Sequence, residues 1–268
     1  MEQTRAPPVA ARHRQERMKE LLRNLFTGAR REGKKPRIFC HFNHYFGPAQ
    51  GFLGRSTSGD RDGRAGIVQA ALNQIRALPF EVDLRVCGFR DYSLLPVDLD
   101  VSDIGNPLHI IYRSIERMFE STDKYDYFLN IEDDILIDHA VLQNSMAFAA
   151  VSGLNEVFLP NRMERQADGT PYCVDLVAMP GWRGLHRTFR KVDLDVAVNP
   201  HSGLFFLSRD QMRFARTKVD LARRDVFIGE AMPSAYANVH APFLLWRAKS
   251  EPLAHHVVHL DKWLDSST

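Results

Sequence analysis

Segments typical of strands alternate with segments typical of helices along residues 37 to 160, and this alternation constrains the fold more than any other feature. The strand-like segments are short and rich in branched and aromatic residues, whereas the helix-like segments repeat apolar residues every three or four positions. Strands connected by helices form a mostly parallel sheet with helices on both faces. The pattern therefore predicts a single α/β domain with a mostly parallel central sheet flanked by helices. The predicted strands are RIFCHF, EVDLRVCGF, YDYFLNI and EVFLP, and the predicted helices are GRAGIVQAALNQIRAL, NPLHIIYRSIERMFES and DHAVLQNSMAFAA.

The alternation becomes looser after residue 160. Residues 161 to 202 are rich in Gly and Pro and are predicted to be mostly loop, which in a compact domain usually carries function. The other predicted elements are the strand-like pieces YCVDLVAM, KVDLDVAV, SGLFFLS and AHHVVHL, the helix RDQMRFARTKVDLA and a second helix over residues 234 to 246.

Positive charge is concentrated at the N-terminal end of the chain. The 268 residues carry a net charge of +2, yet residues 1 to 37 hold eleven Lys or Arg and four Asp or Glu, so they contribute +7 and the remainder −5. We therefore expect a basic leader over residues 1 to 36 and a domain over residues 37 to 268. The leader is predicted to form an amphipathic helix. This helix either packs on the domain in a solvated state or contacts an anionic membrane surface through residues 11 to 35.

Several classes of protein do not match the sequence. No apolar run is long enough to cross a membrane and no secretory signal is apparent, so we expect a cytoplasmic protein, with any membrane contact peripheral and at the inner face. Cys40, Cys87 and Cys173 are scattered and are expected to be buried thiols in a reducing compartment. Nucleic-acid-binding motifs, Gly-x-Gly-x-x-Gly and the Walker pattern are missing from the sequence, which argues against nucleic-acid binding, dehydrogenases and P-loop NTPases.

Three consecutive acids, Glu132, Asp133 and Asp134, directly follow the predicted strand YDYFLNI. The carboxyl ends of parallel strands form the ligand-binding edge of a sheet, and adjacent carboxylates there repel each other unless a cation neutralises them. Mg²⁺ and Mn²⁺ prefer oxygen ligands, commonly one or two carboxylates together with substrate phosphates. The triplet therefore predicts a divalent metal site. The alternative is a solvated acidic turn before a helix whose N-cap is Asp138.

The aromatic-rich strand, the acid triplet, the short apolar step and the following helix together resemble the DxD region of GT-A glycosyltransferases. The form Glu-Asp-Asp followed by a hydrophobic pair is similar to that of N-acetylglucosaminyltransferase I-type enzymes. The resemblance implies a GT-A-like, Rossmann-like sheet, in which residues 37 to 160 bind a nucleotide sugar and residues 161 to 268 bind the acceptor. It also implies that Asp134 ligates Mn²⁺ or Mg²⁺, whereas Glu132 and Asp133 contact the ribose or the sugar of the donor.

A second similarity lies in the segment FIGEAMPSAYANVHAPFLLW. GT-A enzymes often have an acid just before a helix that follows a strand such as SGLFFLS, in a pattern like Gly-Glu-x-x-x-Ser, which Gly229, Glu230 and Ser234 match. In inverting members this acid deprotonates the acceptor hydroxyl. The resemblance thus implies that Glu230 is the catalytic base, with Asp225 as the second choice. Ala231 departs from the family, which often has two acids here, and an ordinary helix-capping acid is the alternative.

Three histidines, His255, His256 and His259, lie on the last predicted strand. GT-A enzymes often use a C-terminal histidine as a further metal ligand, which implies that role for His259 at the strand end, with His256 as the second candidate. Because side chains alternate along a strand, His256 and His259 are expected on opposite faces. The alternative is a set of core or surface histidines with local hydrogen bonds.

The long loop after the first strand is rich in Gly, Arg and aromatic residues. In nucleotide-sugar enzymes this loop holds the base and the ribose. Its aromatic and imidazole rings are suited to stacking on a base, and guanidinium groups are suited to phosphate oxygens, although each arginine alone is equally compatible with a solvated surface. The predicted donor contacts in this half of the chain are Phe42, His44, Tyr45, Arg55, Arg61, Arg64 and, before the next helix, Asp103.

These features predict a metal-dependent glycosyltransferase, of the hexosyl- or N-acetylhexosaminyl-transferase class. Its donor is expected to be a nucleoside diphosphate sugar, with UDP-sugars favoured, and its acceptor the hydroxyl of a glycan or glycolipid in polysaccharide or glycoconjugate biosynthesis. Inversion is the preferred outcome. A predicted loop over residues 181 to 193, with Trp182 and His186 among arginines, would contact the acceptor. The alternatives are a metal-dependent nucleotidyltransferase or phosphohydrolase, since both place acids at strand ends, and a non-catalytic carbohydrate-binding module.

Overall fold

In the part of the chain that the computed structural model describes, three β-sheets share their cores with five α-helices. The structure describes residues 35–47, 61–166, 168–175, 181–200, 202–224 and 235–260. Within these ranges the chain is one mixed α/β unit. The predicted single α/β domain is therefore confirmed, although it contains two smaller mixed sheets in addition to a mostly parallel one. None of the helices in the described ranges has the length and apolar character needed to cross a membrane.

The first sheet has five strands in the order β11-β4-β1-β2-β3. Strands β1 to β4 run parallel to one another, and β11 is antiparallel to β4. The strand order reverses at β1, because β2 and β3 lie on one side of it and β4 and β11 on the other. The strands are β1 (Arg37–His44), β2 (Glu81–Gly88), β3 (Leu99–Asp100), β4 (Tyr127–Glu132) and β11 (Leu204–Ser208).

Two smaller mixed sheets are built mainly by the second half of the chain. One has the order β5-β13-β7-β8 and the other the order β6-β12-β10-β9. The strands of the first are β5 (Ile135–Leu136), β7 (Asn161–Arg165), β8 (Pro171–Cys173) and β13 (His256–His259). Those of the second are β6 (Glu156–Phe158), β9 (Trp182–Phe189), β10 (Val192–Ala197) and β12 (Leu244–Ala248).

The helices cover both faces of the first sheet. One apolar cluster packs α1 and α3 against the sheet, and a second packs α2, α4 and α5 against its other face. The predicted N-cap is confirmed, since the Asp138 carboxylate accepts a hydrogen bond from the Val141 N–H at 2.9 Å. Ser208 and Gln211 form a capping box at the start of α4. The helices are α1 (Arg61–Arg76), α2 (Ile110–Phe119), α3 (His139–Ala149), α4 (Arg209–Lys218) and α5 (Ala235–His240).

Residues 181 to 193 are not the loop that the sequence predicts. They form β9 and the start of β10, joined by a two-residue turn in which Arg190 and Lys191 have φ angles of 51° and 70°. Such turns usually contain Asn or Gly, because those residues tolerate positive φ at low cost. The pair Arg-Lys gives no turn signal, so the hairpin could not be recognised locally.

The predicted helix over residues 234 to 246 is wrong in its second half. Helix α5 ends at His240, and Leu244 begins strand β12, which lies between β6 and β10. A short apolar run is compatible with either a buried helix or a buried strand. Pairing with neighbours on both sides decides for the strand here.

Candidate functional site

The acid triplet lies at the carboxyl end of β4, next to the carboxyl end of β1. In this register Asn43 pairs with Glu132, so His44 and Asp133 are adjacent at the same edge. This is the point at which the strand order reverses, and such a reversal leaves a crevice where α/β sheets bind ligands. The structure therefore brings the three acids to the edge that the sequence predicts.

Asp133 is held by two cationic or hydrogen-bonding side chains from different elements. The Nδ1 of His44 lies 2.5 Å from its Oδ2, and Arg64 of α1 donates to its Oδ1. The Leu94 N–H donates to His44 Nε2 at 2.8 Å, so Nε2 is an acceptor and Nδ1 carries the proton. His44 is thus a neutral donor that fixes the orientation of Asp133.

Asp134 is buried between Arg64 and His259. Its Oδ2 lies 3.4 Å from Arg64 Nη1 and 3.4 Å from His259 Nε2. Its Oδ1 has no hydrogen-bond partner among the described residues. Burial raises the pKa of this carboxyl, but the His259 and Arg64 charges outweigh burial and hold the pKa well below its usual range. Asp134 is therefore an ionised carboxylate with one oxygen available.

His259 comes from the other end of the chain and is held by Glu164. Its Nδ1 donates to Glu164 Oε1 at 2.6 Å, and Tyr172 donates to the other oxygen of that carboxylate. Burial lowers the pKa of His259, but the charge of Asp134 and the hydrogen bonds of both acids raise it to about 9. Sequence reasoning missed Glu164, because residues 161 to 165 lack the alternation that marks a strand. It missed Tyr172 because the pairing of this residue with Glu164 is not visible in the sequence.

Glu132 is the third acid of the cluster and lies close to β11. Burial, reinforced by the charge of Asp134, raises its pKa to about 7. Its backbone N–H donates to the Gly203 carbonyl at 3.0 Å. The charge of Arg162 partly offsets the repulsion between Glu132 and Asp134. Arg162 also pairs with Asp175 at 3.0 Å. The acids thus share a buried network with cations from the second half of the chain.

Gly203 is required by its left-handed backbone conformation, and Gly203→Ala is expected to destabilise the fold by about 1–3 kcal/mol. Gly203 has a φ of +68°, and an added Cβ would lie 2.9 Å from Glu132 Oε2. Gly66 of α1 is the matched control, because its Cβ would meet no atom within 4 Å. Alanine there is expected to stabilise by about 0.5–1 kcal/mol. Guanidinium unfolding of both variants measures the difference, and equal stabilities would contradict the requirement for glycine at position 203.

The predicted donor contacts of the first strand and its loop have different outcomes. Phe42 is fully buried in the apolar core. The His44 ring is also buried, and both of its nitrogens are bonded. Their stacking on a base stays a prediction. Tyr45 is partly exposed and packs against Phe89 at a ring distance of 5.6 Å. Arg61 lies over the Phe46 ring at 5.8 Å.

Three further predicted residues lie away from the acids or outside the described ranges. Arg55 is outside the described residues. Asp103 is at the same sheet edge, beyond β3, and pairs with Arg113 at 2.8 Å. His256 points to the face opposite His259, as alternation predicts, and its Nδ1 donates to the Leu253 carbonyl at 2.8 Å. His256 is therefore not part of the cluster around Asp134.

Both candidate bases, Glu230 and Asp225, also lie outside the described residues. Trp182 and His186 do not contact the acid cluster, since they lie on β9 in another sheet, where His186 pairs with Asp195. Their prediction as acceptor contacts stays a prediction.

The residues around Asp134 fit part of a metal site. Its partnerless Oδ1 is an oxygen donor, and the nearby Nε2 of His259 becomes a nitrogen donor when a metal displaces the second ring proton, which the raised pKa keeps at neutral pH. The imidazole favours a transition-metal ion over Mg²⁺. Among the described ranges no group of three or more His, Cys, Asp or Glu has the spacing of a complete site. A metal held here would take its remaining ligands from water and phosphate oxygens, as Mg²⁺ and Mn²⁺ commonly do.

Comparison with known proteins adds no family to this geometry. No protein-family model matches the chain, and no significant match is found among curated proteins. The functional argument therefore depends on the site itself.

Proposed function

We propose that the protein is a metal-dependent glycosyltransferase with a GT-A-like organisation. It would move a sugar from a nucleoside diphosphate sugar, with UDP-sugars favoured, to an acceptor hydroxyl. The observation that carries the proposal is the ionised, buried Asp134, whose partnerless oxygen lies beside His259 at the point where the strand order reverses. A fold rarely buries a carboxylate oxygen without a partner unless a ligand completes it.

The residues of the site divide into holding and orienting roles. Asp134 and His259 would hold a divalent cation, which stabilises negative charge on a leaving diphosphate when bound. Arg64 adds a fixed positive charge at the same edge, which favours a diphosphate there. His44 keeps Asp133 in one orientation, so that its carboxylate can accept hydrogen bonds from the hydroxyls of the donor.

Proton removal from the acceptor is assigned to Glu230, with Asp225 as the second choice. A carboxylate is a weak base toward an alcohol, but it suffices when it is positioned and takes the proton late in the reaction. The proposal includes inversion at the sugar carbon and a glycan or glycolipid acceptor bound by residues 161 to 268. It also includes a cytoplasmic location, with residues 11 to 35 at the membrane surface.

Thermal unfolding with a panel of UDP-, GDP- and CMP-sugars, with and without Mn²⁺, tests the proposal. We expect one nucleotide sugar to raise the melting temperature only when Mn²⁺ is present. At 100 times its Kd a ligand stabilises the folded state by about 2.7 kcal/mol, or roughly 5–10 °C for a chain of this size. If no nucleotide sugar shifts the transition with either Mn²⁺ or Mg²⁺, the proposal fails.

Product analysis separates the enzymatic alternatives. A glycosyltransferase releases a nucleoside diphosphate from the donor only when an acceptor or water takes the sugar. A nucleotidyltransferase instead joins a sugar phosphate to a nucleoside triphosphate and releases pyrophosphate. A phosphohydrolase releases inorganic phosphate. Detection of either of the last two products would replace the proposed reaction.

A further inference from the structure

Buried hydrogen bonds connect Tyr172 to Glu164 and Glu164 to His259, and His259 in turn faces Asp134. Tyr172 donates to Glu164 Oε2, and His259 Nδ1 donates to Glu164 Oε1 at 2.6 Å. On its other side, His259 Nε2 faces Asp134 Oδ2 at a distance of 3.4 Å.

The sheet register creates these contacts. Tyr172 of β8 pairs directly with Glu164 of β7, and Val258 of β13 pairs with Met163. The next residue of each parallel strand, His259 and Glu164, are therefore neighbours. Both side chains are at most 2% exposed, and a carboxylate buried this deeply is costly unless both oxygens are bonded. The two donors satisfy that requirement.

We infer that Glu164 is the positioning residue that directs His259 toward a metal at Asp134, with Tyr172 holding Glu164 in place. This inference rests on the proposed metal site. A histidine that gives its Nδ1–H to a carboxylate presents Nε2 in one fixed direction, and such outer carboxylates commonly support metal-binding histidines. The direction of the His259 ring is thus determined by β7 and β8 rather than by its own strand.

A purely structural role for Glu164 makes a different prediction. If the contact with His259 only joins β13 to β7, its loss lowers stability and leaves the metal affinity of the folded protein unchanged. If Glu164 positions His259, its loss weakens metal binding beyond any change in stability. Metal affinity of the folded protein is therefore the deciding measurement.

Isothermal titration of the full chain with Mn²⁺ alone is the test. We expect Glu164→Gln, which keeps the shape and removes the charge, to weaken Mn²⁺ binding roughly 10–100-fold. Tyr172→Phe is expected to weaken it only a few-fold, because Glu164 then keeps its bond to His259. Glu156→Gln is the matched control, since Glu156 accepts a hydrogen bond from Trp246 Nε1 at 2.9 Å in another sheet. It is expected to leave the affinity unchanged.

The outcomes are distinguishable. If the wild type binds Mn²⁺ and the Glu164 variant binds it equally well, the positioning role is overturned while the metal site stands. If the wild type binds no Mn²⁺, the metal site and the positioning role are both overturned. If Glu164→Gln does not fold, Tyr172→Phe decides, and an unchanged affinity in that variant overturns the inference.

Discussion

Asp134→Asn is expected to abolish measurable Mn²⁺ binding and all metal-dependent transfer. The substitution removes the ionised carboxylate and leaves the shape of the side chain almost unchanged. A loss of at least roughly 100-fold in metal affinity corresponds to about 2.7 kcal/mol. This energy is small compared with the attraction between a carboxylate and a cation in a buried site. The metal-free variant is also expected to be less stable, because His259 and Arg64 lose an ion-pair partner that lies 3.4 Å from each.

Asp138→Asn provides the control for Asp134→Asn. It makes the same chemical change four residues away, at the N-cap of α3. Asn caps helices about as well as Asp, so stability and Mn²⁺ affinity should both stay close to wild type. Titration calorimetry with Mn²⁺, followed by thermal unfolding with the donor that stabilises the wild type, checks both variants. Equal Mn²⁺ affinity of Asp134→Asn and the wild type would refute the assignment of Asp134.

The free energy of unfolding of the metal-free protein is expected to fall steeply between pH 6.5 and pH 4. His41, His240 and His255 are at most 1% exposed, and burial lowers their pKa values from 6.5 to about 4, 4 and 3, respectively. Each folded-state pKa is below the unfolded value, so the unfolded chain binds more protons in this window. Stability must therefore rise with pH there and be lost on acidification.

Burial lowers the pKa values of these histidines, and the hydrogen bonds to backbone carbonyls offset only part of its effect. His240 and His255 each donate one ring N–H to a backbone carbonyl, whereas the second ring nitrogen has no partner among the described residues. A second proton would therefore be buried without an acceptor.

Two residues of the candidate site contribute stability that decreases as the pH rises, which is opposite to the effect of the three histidines. Burial is the main cause that raises the pKa of Glu132 from 4.5 to about 7, so its contribution to the pH dependence cancels that of one histidine. The unfolded chain then binds roughly two more protons than the folded chain, which gives a slope of about 3 kcal/mol per pH unit. His259 has a folded pKa of about 9, so its contribution is complete below pH 6.5 and is lost as the pH rises through 9. The profile is therefore expected to have a maximum near pH 6.5.

Urea unfolding between pH 4 and pH 9 measures this profile. His255→Gln removes one titrating group and should reduce the acid slope by about 1.4 kcal/mol per pH unit. His259→Gln should leave the acid slope unchanged and remove most of the decline between pH 7 and pH 9. An acid slope in His255→Gln equal to that of the wild type would show that this histidine is not the buried neutral group described.

Most of the first sheet and its helices could be predicted from the sequence. The strands from Arg37 to Glu132 are short runs of branched and aromatic residues, and their helices have regular apolar faces and recognisable caps such as Asp138. These signals are local, because propensity and capping depend on residues a few positions apart. Strands β9 and β12 had no comparable local signal, since pairing with neighbouring strands decides their structure.

The candidate site shows the same division. The sequence identified the acids and His259, because carboxylates at a strand end and a histidine at the terminal strand are visible in one dimension. It did not show that the Phe42 ring is buried in the core, because a strand end does not reveal which face a ring occupies. It did not identify Glu164, which lies 95 residues before His259 and becomes its neighbour only through the register of β7 and β13.

The sequence by itself determined the α/β class, the order of the early elements and the presence of three acids at the end of β4. Only the tertiary structure decided which of those acids has a partnerless oxygen, which cations surround it and which carboxylate orients His259. The physical reason is that charge, burial and hydrogen bonding at this site depend on residues from β1, α1, β4, β7 and β13. These residues are brought together by strand register, which no local pattern encodes.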